Sequence, residues 1–295
     1  MSTVSDDSGI ESVVDRLSYL FVLSRPRFWF YLAGPVVVGV AVAADSVGEL
    51  GTPLTVVLFA YFLLPANVLL YGINDMFDVE VDAENPKKTD KETRWQGDRA
   101  VAMAVVGCGL VGVGLTAALP SLAWPWLGGF LFFAVGYSTP PLRFKTTPFL
   151  DSVSNGLYIL PGIAAYAMVA GTQPPIFAVV GGWLWTMGMH TFSAIPDIEP
   201  DRAAAIKTTA TVLGERLTYG YVAACWVVAA VAFGLVDRRL GVLIGIYPVF
   251  VAWVATSSVQ VDKAYWWFPA LNTAVGTIIT LGALWEIVPV WEVIP

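Results

Sequence analysis

The 295-residue sequence predicts an all-α fold: a polytopic membrane helix bundle of about nine transmembrane helices with its N-terminus in the cytoplasm. Three observations predict it. Hydrophobic residues make up 57% of the chain and charged residues only 13%, against about 25% charged in a soluble domain. The apolar residues come in runs of roughly the 20 needed to cross hydrocarbon as a helix. Once those runs are threaded through a bilayer, the basic residues fall almost entirely on one side. The two cysteines, Cys108 and Cys225, both sit inside apolar runs, which argues against a disulfide framework and against a thiolate metal site. The net charge of −7 argues against nucleic acid as a partner.

The elements follow in chain order. Residues 1–26 form a cytoplasmic N-terminal segment, whose polar, acidic start lacks the basic opening of a signal peptide. Ile10, Val13, Val14, Leu17, Leu20 and Phe21 then share one helical face. That face predicts either a helix lying on the membrane surface or a short cap packed on the bundle. Residues 27–295 form a single transmembrane domain with spans expected at 27–44, 53–73, 100–118, 121–137, 152–170, 174–192, 217–236, 240–257 and 265–288. Turn chemistry separates them at Gly51-Thr52-Pro53, Pro120, Pro140-Pro141 and Gly171 through Pro175. With the N-terminus inside, only Arg238 and Arg239 fall outside, and the other 14 of the 16 Lys and Arg are cytoplasmic.

The chemistry concentrates in two acidic motifs on that same side. In Asn74-Asp75-Met76-Phe77-Asp78-Val79-Glu80-Val81-Asp82, a helix continued past the second span puts Asp75, Asp78 and Asp82 at i, i+3, i+7, with Asn74 on the same face. Carboxylates so stacked repel, and near a bilayer they cost roughly 2.5–3.5 kcal/mol each at the helix centre. A cation between them removes the conflict, and hard oxygen ligands favour Mg²⁺. The second motif is Pro196-Asp197-Ile198-Glu199-Pro200-Asp201, where the prolines predict a helix starting near Asp197 with Asp201 one turn on. Two such sites can clamp one diphosphate through two metal ions. Solvated loop charges or helix caps are the plain alternative, and two matching clusters at helix ends on one side weigh against it. Both Asp78/Asp82 and Asp197/Asp201 have i, i+4 spacing, as either a helical unit used twice or chance would give. Among the nearby polar residues, Asn74, Arg143, Lys145 and Lys207 are candidates for the diphosphate oxygens, and the remaining cations read as positive-inside bias.

At these residues the chain resembles the UbiA superfamily of membrane prenyltransferases. Asn74 to Asp82 is similar to the family's NDxxDxxxD, and Asp197 to Asp201 to its DxxxD, with a similar tail from Arg202 to Gly214. Tyr137 through Lys145 resembles the family's segment after the fourth helix. The resemblance covers nearly the whole chain. It implies a multi-pass protein of the cell membrane with the site facing the cytoplasm. It also implies that Asp75, Asp78, Asp82, Asp197 and Asp201 act on Mg²⁺-diphosphate, and that an allylic carbocation forms when diphosphate leaves. Asn67 stands where many members have Arg, and Ala194 where several have an acid, which turns the expectation away from quinone-type acceptors. Asn85-Pro86-Lys87-Lys88 and Phe192 through Asp201 are most similar to the members that add five-carbon units to the ends of lycopene.

The implied partners are a prenyl diphosphate donor, a hydrophobic acceptor such as lycopene, and the bilayer. A hydrocarbon acceptor needs no deprotonation before attack, and the tertiary cation it leaves ends in hydration or proton loss. His190, the only histidine, ends the sixth span. It reads either as a group for that proton or water, or, as is commoner, as a structural hydrogen-bond donor. One rival reading is geranylgeranyl transfer to a glycerol phosphate ether. Another is a cation-coupled transporter, whose sites usually lie near the bilayer midplane rather than at one face.

Overall fold

The computed structural model describes residues 13–78, 95 and 97–288. Among them the chain is helical, with no strand. Seven helical segments are long and apolar enough to cross a membrane: Pro26–Ala43, Val47–Phe77, Arg99–Ala118, Leu150–Ala170, Thr209–Val236, Arg238–Thr256 and Phe268–Ile287. The two other expected runs are helical as well, as the shorter Ser121–Gly136 and as Ile176–Ser193. The latter carries His190, Ser193 and the fully buried Thr186 and Thr191, which lower its hydropathy.

Prolines break several spans that the sequence reading drew as continuous. The second is two helices, Pro53–Leu63 and Pro65–Phe77, joined at Leu64 with φ −127°. Pro65 has no N–H to continue the ladder. The buried Asn67 amide donates instead to Phe62 O at 2.9 Å and Leu63 O at 3.1 Å, so this position holds the break together. Pro161 follows a 3₁₀ turn at Ser154–Tyr158, and Pro248 follows the junction between Arg238–Ile244 and Ile246–Thr256. Starts are capped by side chains: Thr52 accepts from Thr55 N, Asp98 from Ala100 N and Val101 N, and Thr208 forms a capping box with Thr211. The Thr209–Val236 helix starts eight residues before the expected 217 and is kinked at Gly214, whose φ of 72° suits glycine.

Small residues let the helices approach. A Cβ on Gly39 would sit 2.1 Å from Gly162 O, and one on Gly162 would sit 2.6 Å from Pro35 O. Trp29–Ala43 and Leu160–Ala170 therefore cross backbone to backbone, as close-packed membrane helices do. Elsewhere Trp226 fills the centre, fully buried, and its indole donates to Trp185 O at 3.0 Å.

The buried side chains form two main clusters. One gathers residues between Leu32 and Val179, the other residues between Met189 and Val275. Large apolar side chains are also exposed on the outside, among them Leu110, Val231, Val249 and Ile278. That pattern suits hydrocarbon solvent better than water. The first helix, Val13–Leu23, packs Tyr19 and Leu23 against Val68, Leu69, Val101 and Val105. It turns Val13, Val14, Leu17 and Phe21 outward. The apolar face expected there is thus the outer one, apart from the half-buried Leu20, and Ile10 lies outside the described residues.

Candidate active site

The Pro65–Phe77 helix delivers Asn74 and Asp75 in its last turn. Asp75 is only 1% exposed. The Arg25 guanidinium reaches its Oδ1 at 3.3 Å and lies over the Tyr71 ring, 4.5 Å from the centroid. Asn74 Nδ2 donates to Ser138 Oγ at 3.1 Å.

The helix does not continue through Asp78 as the sequence spacing suggested. It ends at Phe77, and Asp78 is its C-terminal cap residue, at φ −110°, ψ 10°. The cause is the loop after Gly136. Arg143 Nη2 donates to Asp78 Oδ1 at 3.4 Å and reaches Phe77 O at 3.5 Å, while Lys145 Nζ donates to Asp78 Oδ2. Two cations at a helix C-terminus satisfy its last carbonyls and its dipole. The continuous face from Asp75 to Asp82 is therefore interrupted at Asp78, and Asp82 lies outside the described residues. Arg143 adopts a left-handed φ of 38°, rare for a side chain-bearing residue, and Lys145 N bonds Tyr137 O at 3.1 Å to close the loop.

The second motif begins in a 3₁₀ turn, Ile195–Asp197, and runs into the short helix Ile198–Ala203, as its prolines suggested. Asp197 and Asp201 are each half-buried. Arg202 is committed to structure, bonding Thr211 O through Nε and Nη2 and Glu199 through Nη1. Lys207 is exposed, just ahead of the Thr208 cap, and does not line the cavity described below.

A cavity of about 420 Å³ lies between the two halves of the bundle. Asn74 and Asp197 line it from opposite halves, together with Arg25 and His190. Its aromatic wall is Phe28, Tyr31, Tyr71, Tyr137, Tyr158 and Tyr265. Sequence reasoning missed Arg25 and these tyrosines. Arg25 was masked by the positive-inside bias, and the tyrosines are scattered along the chain. It also missed Asp151, 1% exposed, whose carboxylate accepts from Thr209 N at 2.9 Å and from Thr209 Oγ1. The available signal was a carboxylate inside an apolar run.

Among the described residues, no three acidic side chains converge closely enough to cage a metal. Mg²⁺ does not require that, because it keeps waters and takes one or two carboxylates plus phosphate oxygens. The donors gathered here, Asn74, Asp75, Asp78 and Asp197, are all hard oxygens, and cations stand beside two of them. The set fits Mg²⁺ held jointly with a diphosphate.

A helical bundle of membrane-spanning character whose aromatic cavity is lined by Arg25, Asn74 and Asp197 has the make-up of an intramembrane enzyme. The chain belongs to the UbiA prenyltransferase family, whose model matches residues 32–268, and it is a prenyltransferase. It is 65% identical to the lycopene elongase/hydratase of Haloferax volcanii, over 93% of this chain and 91% of that one. It is 60% identical to the lycopene elongase/hydratase of Halobacterium salinarum, over 92% and 98%. Its fold matches a UbiA homolog from Archaeoglobus fulgidus bound to GPP and Mg²⁺ with a TM-score of 0.66, at 18% identity, covering 89% of this chain and 99% of that one.

Proposed function

We propose that the protein transfers dimethylallyl groups from their diphosphate onto the ends of lycopene, in a Mg²⁺-dependent reaction completed by hydration. The observation that carries this reading is the lining of the cavity, where Arg25, Asn74 and Asp197 meet six aromatic rings, next to the ion pairs of Asp75 with Arg25 and of Asp78 with Arg143 and Lys145. Identities of 65% and 60% to lycopene elongase/hydratases support the acceptor.

Asp75, Asp78, Asp197 and Asp201, with Asp82, would hold the metal-bound diphosphate, and Mg²⁺ would supply neutralisation of the leaving group's charge. Asn74, Arg25, Arg143 and Lys145 bind its oxygens; Arg and Lys suit this by charge-assisted hydrogen bonds. The C–O bond breaks and its electron pair leaves with the diphosphate. The allylic cation stays against the tyrosine faces, where π-electron density stabilises it and water is excluded. The terminal alkene of lycopene supplies the electrons for the new C–C bond, leaving a tertiary cation. A cavity of about 420 Å³ takes the small donor and only one end of the polyene, so the remainder extends into the bilayer. The mouth faces the cytoplasm.

Expression in a lycopene-producing host is expected to yield longer, hydroxylated carotenoids. Asp78→Ala should abolish them while the protein still accumulates in the membrane. Untouched lycopene together with geranylgeranyl groups on a glycerol phosphate ether would replace this acceptor with the lipid one.

A further inference from the structure

The cavity contains polar atoms that no hydrocarbon can satisfy. His190 lines it and makes one ring contact, edge-on to Tyr137 at 6.2 Å between centroids. Among the described residues its imidazole has no hydrogen-bond partner. A polar group kept from solvent is costly unless it is hydrogen-bonded, and a polar pocket wide enough for water holds water. A polyene offers neither donor nor acceptor, so the imidazole is suited to a water.

His190 differs from its polar neighbours in one respect. The tyrosine hydroxyls are very weak bases, whereas imidazole accepts a proton near neutral pH. It lies on the Ile176–Ser193 helix, seven residues before Asp197, and so deeper in the bundle than the acidic mouth. A proton acceptor at that depth is clear of the diphosphate and beside the path of the apolar chains.

We infer that His190 is a catalytic base that holds the water capturing the tertiary cation. This rests on the reading of lycopene as acceptor. The water oxygen donates a lone pair to the tertiary carbon and forms the C–O bond. Its proton passes to the His190 imidazole, leaving a neutral tertiary alcohol. The imidazolium returns the proton to bulk water when the product leaves. No oxidant or reductant is involved. Where His190 cannot take the proton from water, a neighbouring carbon gives up a proton to water or to the released diphosphate, its C–H electron pair becomes the new π bond, and the product ends as an alkene.

The test uses the full chain in lipid nanodiscs with Mg²⁺, dimethylallyl diphosphate and lycopene in ¹⁸O-labelled water. Diphosphate release reports ionisation, and the mass of the carotenoid separates alcohol from alkene. In His190→Gln, diphosphate release and C–C coupling should stay within about threefold of wild type, while the ¹⁸O-alcohol fraction falls by about tenfold or more. Added imidazole should restore that fraction in His190→Ala. An unchanged alcohol fraction in His190→Gln overturns the inference. If neither variant folds, the wild type in D₂O decides: base-assisted capture predicts a lower alcohol-to-alkene ratio, and an unchanged ratio overturns it. Wild-type protein that leaves lycopene untouched would instead defeat the acceptor reading.

Discussion

Asp75 sits almost wholly out of water at the end of an otherwise apolar helix, a position that costs free energy unless the charge is answered. Arg25 answers it from 50 residues away in sequence, and the Tyr71 face beneath the guanidinium holds the cation in place. The Arg25 side chain is 19% exposed and that of Asp75 is 2% exposed, so the pair is largely screened from solvent. Removing one member of a buried pair strands the other, at about 3–5 kcal/mol. Arg25→Ala is therefore expected to lower the unfolding free energy in detergent by about 3 kcal/mol. Thermal melts followed by tryptophan fluorescence check this, and Arg25→Lys should lose less. Asp78 is the complementary case. Its two cations, Arg143 and Lys145, were legible as candidates because they sit in a short loop beside the motif. Arg25 was not, because nothing local marks one cytoplasmic arginine among many.

At the scale of elements, the crossing of Trp29–Ala43 with Leu160–Ala170 depends on two glycines that bring backbones into contact. The atoms nearest a Cβ at Gly39 are the carbonyl O, C and Cα of Gly162. Backbone cannot turn aside as a flexible side chain can, so Gly39→Ala must separate the helices. Overpacking typically costs about 1–3 kcal/mol, and loss of the close approach adds to it. Gly39→Ala should lower the SDS fraction at which the protein unfolds, whereas Gly114→Ala, with nothing within 4 Å of its Cβ, should not. Equal midpoints for the two variants would show that the crossing does not matter for stability. The breaks at Pro65, Pro161 and Pro248 could be anticipated from the missing N–H. What they achieve could not: the break at Leu64 is held by the Asn67 amide, at a position where the family resemblance led the eye to look for arginine.

At the scale of the whole molecule, the candidate groups come from chain segments near residues 25, 74, 190 and 197 and line one cavity, whose acidic end adjoins the Asp78–Arg143 pair. Basic residues predicted which face that end occupies. Single cysteines at Ser46 and Lys207, both exposed, give the check in sealed vesicles of a variant lacking the native cysteines. An impermeant maleimide should label Ser46→Cys from outside and Lys207→Cys only from inside. Labelling of both from one side would break the nine-crossing topology.

The helical class, the approximate positions of the spans and the two acidic motifs were readable from the sequence, because each is a local property. A run of apolar residues must find hydrocarbon wherever it lies, and Asp197–Asp201 keeps its spacing in any helix. The tertiary structure alone decided where the first motif's helix stops, since Asp78 is drawn out by Arg143 and Lys145 from 65 and 67 residues away. It alone gathered the tyrosine wall and set His190 in the cavity lining with, among the described residues, no hydrogen bond to its imidazole. Those features arise when distant helices pack, and no periodicity along one helix encodes which side chain of another will stand opposite it.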